Sequence, residues 1–290
     1  MTYPEPTIRV NVDVTNPGQF FACCGLLELA DRLWPGAEGW FDDGAFCISS
    51  TGGLTDLLSE LADSQINSSV TDAGLKRLGT LLSAEKAQLT PEQAAEKETL
   101  RESWAKEQLI ISAPFRLAID WWRDDSSGAK GLKTWAAKQF VLEIARPLLE
   151  GIRTMEVCAI EGVLSQSAAV TGLPFYFDSE SNSQNTPRDT GFGLYTMRNK
   201  IRTRDAIRPL VELGALIGLQ RCRPLRVGRV AVFQYSTWTI PLSPLLASAA
   251  VCGAIARRDS RWYTFSMLYR SKYMKAFLPA SPSTGVPSHD

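Results

Sequence analysis

The chain has 290 residues, 44% of them hydrophobic and 21% charged, and its 31 basic residues balance 31 acidic ones. This is ordinary globular composition with material for a sizeable core, in one large or two modest domains. It excludes two classes at once. No run approaches the ~18 uninterrupted apolar residues of a membrane span, and the only histidine, His289, sits beside the last residue, where no packed shell can hold an imidazole for a triad, a general base or a metal.

The opening MTYPEPTIRVNVDV has neither the basic nor the apolar region of a secretion signal, so a cytoplasmic protein is expected. Cys23, Cys24, Cys47, Cys158, Cys222 and Cys252 are scattered without a C-x-x-C pair, which points to buried free thiols and not to a zinc site.

In chain order, Ile8 to Val14 alternates and is rich in β formers, which predicts a strand. Asn16-Pro17-Gly18-Gln19 then opens a helix, with Asn16 as N-cap, Pro17 at the first helical position and Gln19 placed to close a capping box. That helix, PGQFFACCGLLELADRL, should stop before Pro35-Gly36, and GWFDDGAFCISS should follow as a hairpin or a twisted strand. Gly18 and Gly25 lie inside the helix at a cost of about 0.5–1 kcal/mol each relative to alanine. Close approach of another backbone justifies them, and the absence of G-x-G-x-x-G and P-loop spacings favours core packing over a bound phosphate.

From Gly53 to Trp104 the pattern is helical, with breaks near Asp63 to Thr71 and at Thr90-Pro91. Ile110 to Trp122 reads as a strand, RDDSSGAKG as a turn, and Leu132 to Glu150 as a long amphipathic helix. A Ser/Asn-rich loop, SESNSQNTPRDTG, follows PFYFD; then come an apolar helix in IRPLVELGALIGLQRC, a long strand in VGRVAVFQYSTWTI, a helix after Pro241 and one or two strands from Trp262 to Phe277. The expected fold class is α+β, a mixed α/β chain with short sheets packed against apolar helices and no Rossmann or P-loop signature. The expected division is an acidic region 1–170, a basic region 171–278 packed with it as one unit, and a disordered tail 279–290.

The zero net charge conceals a segregation. Arg198 to Lys275 holds 15 Lys or Arg against three acids, so it carries +12 and the remainder −12. Twelve of the 15 are arginine, whose planar fork suits phosphate or carboxylate, and the last cluster is interleaved with aromatic rings, RWYTFSMLYRSKYMKAF, on which unpaired bases can stack. The candidate nucleic-acid contacts are Arg198, Lys200, Arg202, Arg204, Arg208, Arg221, Arg223, Arg226, Arg270, Lys272, Tyr273 and Lys275. The competing reading is that these cations meet the acidic half of the same chain. No cofactor and no catalytic residue is expected. A metal nuclease built on Asp42, Asp43, Asp124 and Asp125 remains a rival, although sequence-adjacent carboxylates point apart and aspartate is common in turns for its own reasons.

Two segments, VDVTNPGQFFACCGLLELADRLWPGAEGWF and RPLVELGALIGLQRCRPL, resemble the Csb-three family of subtype I-G (formerly I-U) CRISPR loci. The resemblance implies a large-subunit-like, non-catalytic part of a crRNA-guided, Cascade-like effector complex in antiviral defence. It implies as partners the crRNA, the target DNA, the other subunits and the recruited helicase-nuclease that degrades DNA. A scaffold subunit that never touches nucleic acid is the alternative within that reading.

Overall fold

The computed structural model describes residues 4–84, 89–136, 139–155, 160–182, 207–228, 231–255, 260–269 and 275–283. It opens with strand β1 (Ile8–Asn11), helix α1 (Pro17–Leu33) and a hairpin of β2 (Glu38–Asp42) and β3 (Ala45–Ser49). The hairpin turns on Asp43 and Gly44, both at positive φ (38° and 76°), as a two-residue turn requires. β3 lies between β1 and β2, antiparallel to both.

Asn16 caps α1 through its Oδ1, which accepts from the Gly18 N–H at 3.1 Å. The expected capping box does not close. The Asn16 N–H already donates to the Asp13 carbonyl, so Gln19 Oε1 accepts from the Asp13 N–H instead, at 2.8 Å, and ties the strand to the helix.

α1 is buried from Pro17 to Ala30, and its partner is α7 (Pro209–Gly218), buried at every position. Helices apolar on all sides belong in a core. Their backbones touch: a Cβ on Gly25 would stand 2.1 Å from the Gly214 carbonyl oxygen, and one on Gly218 would stand 2.0 Å from that of Phe21. Gly18 is held in the same way against the Phe177 carbonyl, at 2.5 Å. Core packing therefore explains both α1 glycines.

Between these helices run α2 (Leu54–Asp63), β4 (Ile66–Ser68), α3 (Asp72–Ser83), α4 (Pro91–Ala105), β5 (Leu109–Ile111), β6 (Leu117–Ile119), α5 (Val141–Arg153) and the short α6 (Ser179–Asn182). β4, β5 and β6 form a second antiparallel sheet. The single strand expected over 110–122 is thus two short strands followed by a 3-10 turn at Trp121–Arg123. The helix expected from Leu132 begins only at Val141. A 3-10 turn at Ala129–Leu132 replaces its start, and Trp135 packs edge-on to Trp121 and Trp122 with centroids 6.0 and 5.5 Å away.

The third sheet has the order β10-β9-β8-β7, with β11 also paired to β9: β7 (Leu225–Val227), β8 (Val232–Ser236), β9 (Trp262–Tyr269), β10 (Lys275–Phe277) and β11 (Ser281–Ser283). α8 (Pro244–Val251) lies between β8 and β9 in sequence. The tail expected to be disordered from 279 is ordered at its start: Ala280 is buried and Ser281–Ser283 pair with Trp262–Thr264. Short antiparallel sheets against apolar helices make this a mixed α+β fold. One hydrophobic cluster runs from Ile8 to Ala280 and draws on both the acidic and the basic regions.

Candidate nucleic-acid interface

Register places two of the sequence-predicted cations on one face of the third sheet. Residues directly opposite in antiparallel strands share a face. Arg226 stands opposite Phe233, which stands opposite Phe265; Lys275 stands opposite Tyr269. Phe265, Met267 and Tyr269 alternate along β9 on that same face, the first two buried and Tyr269 50% exposed, so this is where the inner face leaves the core.

The segment 124–133 lies across that face. Phe233 sits 3.4 Å from where a Cβ on Gly131 would stand, and the Arg226 stem is 3.5 Å from the equivalent point on Gly128. Lys275 donates twice to the segment's end, from Nζ to the Gly131 carbonyl (3.3 Å) and from its backbone N–H to the Thr134 carbonyl (3.1 Å). Lys130 and Lys133 thereby join Arg226 and Lys275 at one corner of the molecule.

The corner holds like charges together. The Lys133 Nζ lies 5.1 Å from the Trp135 ring centroid and 6.0 Å from that of Trp104. Burial pushes the Lys133 ammonium down to about 8; Glu107 opposes the fall, and Lys130 and Lys275 add to it. Burial, then Arg226, likewise lowers Lys275, whose Nζ sits 5.6 Å from the Tyr269 ring centroid. The Lys130–Asp125 pair (2.9 Å) is exposed on both sides, and such pairs contribute little and exchange readily for another anion. Cations kept close and partly stripped of water are balanced when an anion enters among them.

Three other predicted contacts are engaged inside the chain. Arg208 is corrected outright as a phosphate contact: it is 3% exposed, its Nη2 donates to Glu180 Oε2, and its Nη1 lies 3.6 Å from Asp178 Oδ2. Asp178 also accepts from Asn16 Nδ2 at 2.7 Å, and Glu212 accepts from the Phe177 and Asp178 N–H groups, both at 3.1 Å. Burial, then Asp178, pushes the Glu212 carboxyl up to about 8 against those N–H donors.

Arg221 belongs to the α1–α7 seam, where its Nε donates to Glu28 Oε2 at 2.5 Å. Burial alone raises the Glu28 carboxyl, and bonds from Arg221 and Arg32 more than offset it, leaving the group below its ordinary value. Arg223 donates to Asp124 and to Ser127 Oγ. Ser126, Ser127 and Arg223 together hold Asp124 far below the usual carboxylate range. For Arg208, Arg221 and Arg223, then, the acidic half of the chain is the partner. Arg198, Lys200, Arg202, Arg204, Arg270, Lys272 and Tyr273 lie outside the described residues.

The four rival carboxylates do not converge. Asp42 and Asp43 border a cleft of about 900 Å³ beside the β2–β3 hairpin, and Asp42 is bonded there to Arg9 at 3.1 Å. Asp124 and Asp125 sit in the segment over the third sheet. Among the described residues no group of three or more His, Cys, Asp or Glu could hold a metal ion, and no helix is long and apolar enough to cross a membrane.

No family model matches this chain, and no curated protein matches it. Sequence reading missed Lys130, which lies in the turn RDDSSGAKG, and Lys133, which fell in the helix expected from Leu132, because the position of this segment over the third sheet depends on contacts about a hundred residues away in sequence. Tyr269, by contrast, lies within the basic-aromatic run that pointed to this end of the chain.

Proposed function

We propose that the protein is a non-catalytic, large-subunit-like component of a crRNA-guided type I effector complex in a prokaryotic cytoplasm, and that it contacts target DNA or the guide-target duplex. The observation that carries this reading is the meeting of Lys130, Lys133, Arg226 and Lys275 at one end of the third sheet. The two segments that carry the resemblance, 12–41 and 208–225, contain α1 and α7, which pack backbone to backbone. Phosphate contacts of this kind fix position, while base pairing with the guide reads sequence.

The test is the salt dependence of DNA binding by the assembled complex. Replacing Lys133, Arg226 and Lys275 by Gln should weaken binding and reduce the log-log salt slope by about 0.7 for each single-strand phosphate that is no longer neutralised. Unchanged affinity and slope would remove the assignment.

A scaffold role is the second reading, favoured by Leu245 and Leu246, which stand 67% and 47% exposed on α8 as an apolar surface suited to a neighbouring subunit. Crosslinks from this chain to protein neighbours alone, with none to labelled guide or target strands, would favour it.

A further inference from the structure

We infer that the corner formed by Lys130, Lys133, Arg226, Lys275 and Tyr269 takes an unpaired nucleic-acid strand rather than a duplex, with one base stacked on the Tyr269 ring and the flanking phosphates on the four cations. This deepens the nucleic-acid reading above and rests on it.

Charge alone would accept either form, since both present phosphates to a cationic surface. Tyr269 discriminates between them. Its ring is half exposed at the point where the β9 inner face emerges from the core, directly across from Lys275 in register. The Lys275 ammonium lies within cation–π reach of the ring, so the aromatic face and the charge are held as one unit. In a duplex the bases already stack on one another behind the phosphates, and a ring at phosphate level finds no partner. In a single strand each base has an open face, and stacking on an aromatic side chain adds to the phosphate contacts.

The lysines suit such a ligand as well. Lys133 sits against Trp135 and Trp104, and Lys275 is held by the Gly131 and Thr134 carbonyls, so these point charges are positioned by the fold. A compact ammonium accepts a phosphate from many directions, which fits a flexible backbone better than a bidentate fork does.

The test uses the purified full-length chain at low salt, with fluorescently labelled oligothymidine and oligouridine of about 16 nucleotides and a mixed-sequence duplex of the same length. Both single strands should bind more tightly than the duplex. Tyr269→Leu should weaken single-strand binding at least about fivefold, the low end for removal of one base–aromatic stack, and leave duplex binding unchanged. Tyr269→Phe, which keeps the ring, should bind single strands as the parent does, and thermal melts should show all variants folded.

Equal binding of strand and duplex, or single-strand binding by Tyr269→Leu equal to the parent's, overturns the inference while the cationic contact stands. Weakening in Tyr269→Phe as large as in Tyr269→Leu overturns the stacking role, because a hydroxyl contact would then carry the effect. If Lys133→Gln with Lys275→Gln leaves every affinity and salt slope unchanged, the nucleic-acid reading itself fails at this site.

Discussion

Lys133 and Glu212 are ionisable groups whose burial gives pH signatures of opposite sign. Lys133 is lowered from 10.5 to about 8 in the fold, so the cost of holding its charge is full below pH 8 and is relieved as pH rises toward 10.5. Stability of the parent relative to Lys133→Met should therefore rise across that window, by at most about 1.4 kcal/mol per pH unit, as urea midpoints at pH 7.5 and 9.5 would read. Binding of a polyanion restores the charge, so affinity should fall above pH 8 more in the parent than in Lys133→Gln.

Glu212 runs the other way: raised from 4.5 to about 8, it contributes stability that is full below 4.5 and lost as pH rises through 8. Glu212→Gln turns an amide N–H₂ toward a backbone N–H and should cost about 1–3 kcal/mol at pH 5, with the gap to the parent narrowing by pH 8. Arg208→Ala leaves Asp178 buried without its cation and should destabilise by about 3–5 kcal/mol. It should leave the polyanion affinity of the folded protein unchanged, and salt-dependent binding measurements check that separation.

At the scale of elements, the α1–α7 pair inverts an ordinary rule. Alanine in place of glycine within a helix is normally favourable by up to about 1 kcal/mol. Here the added Cβ of Gly25→Ala or Gly218→Ala would fall 2.1 or 2.0 Å from a backbone carbonyl oxygen of the partner helix, and neither backbone can yield without moving its neighbours. Each substitution should cost about 1–3 kcal/mol, measured by urea unfolding. The cost should not be additive, because both changes push the same pair of helices apart. The segment 124–133 shows the complementary case. Alone it is a turn with too little apolar surface to order itself, and its place is decided by Arg223 bonding Asp124, by Lys275 reaching Gly131 and by Phe233 under Gly131.

At the scale of the whole molecule, the continuous core makes the acidic and basic regions interdependent. A fragment of residues 1–170 would expose the face of α1 that α7 covers, together with Phe20 and Phe21, which pack on Tyr235 of β8. Such a fragment should fail to give a cooperative unfolding transition, whereas the full chain should give one, observable by circular dichroism and by calorimetry.

The sequence by itself determined the elements whose signals are local. The cap at Asn16, the Pro17 start and the apolar helix over 209–218 all depend on neighbours within a few residues. The glycines of α1 also announced a close backbone approach, though not the identity of the partner helix. Only tertiary structure decided which arginines face inward and which cations gather at the corner. A charge run in sequence has no sign of direction: that the guanidinium groups of Arg208, Arg221 and Arg223 point to the chain's own carboxylates depends on segments up to about two hundred residues away meeting in space.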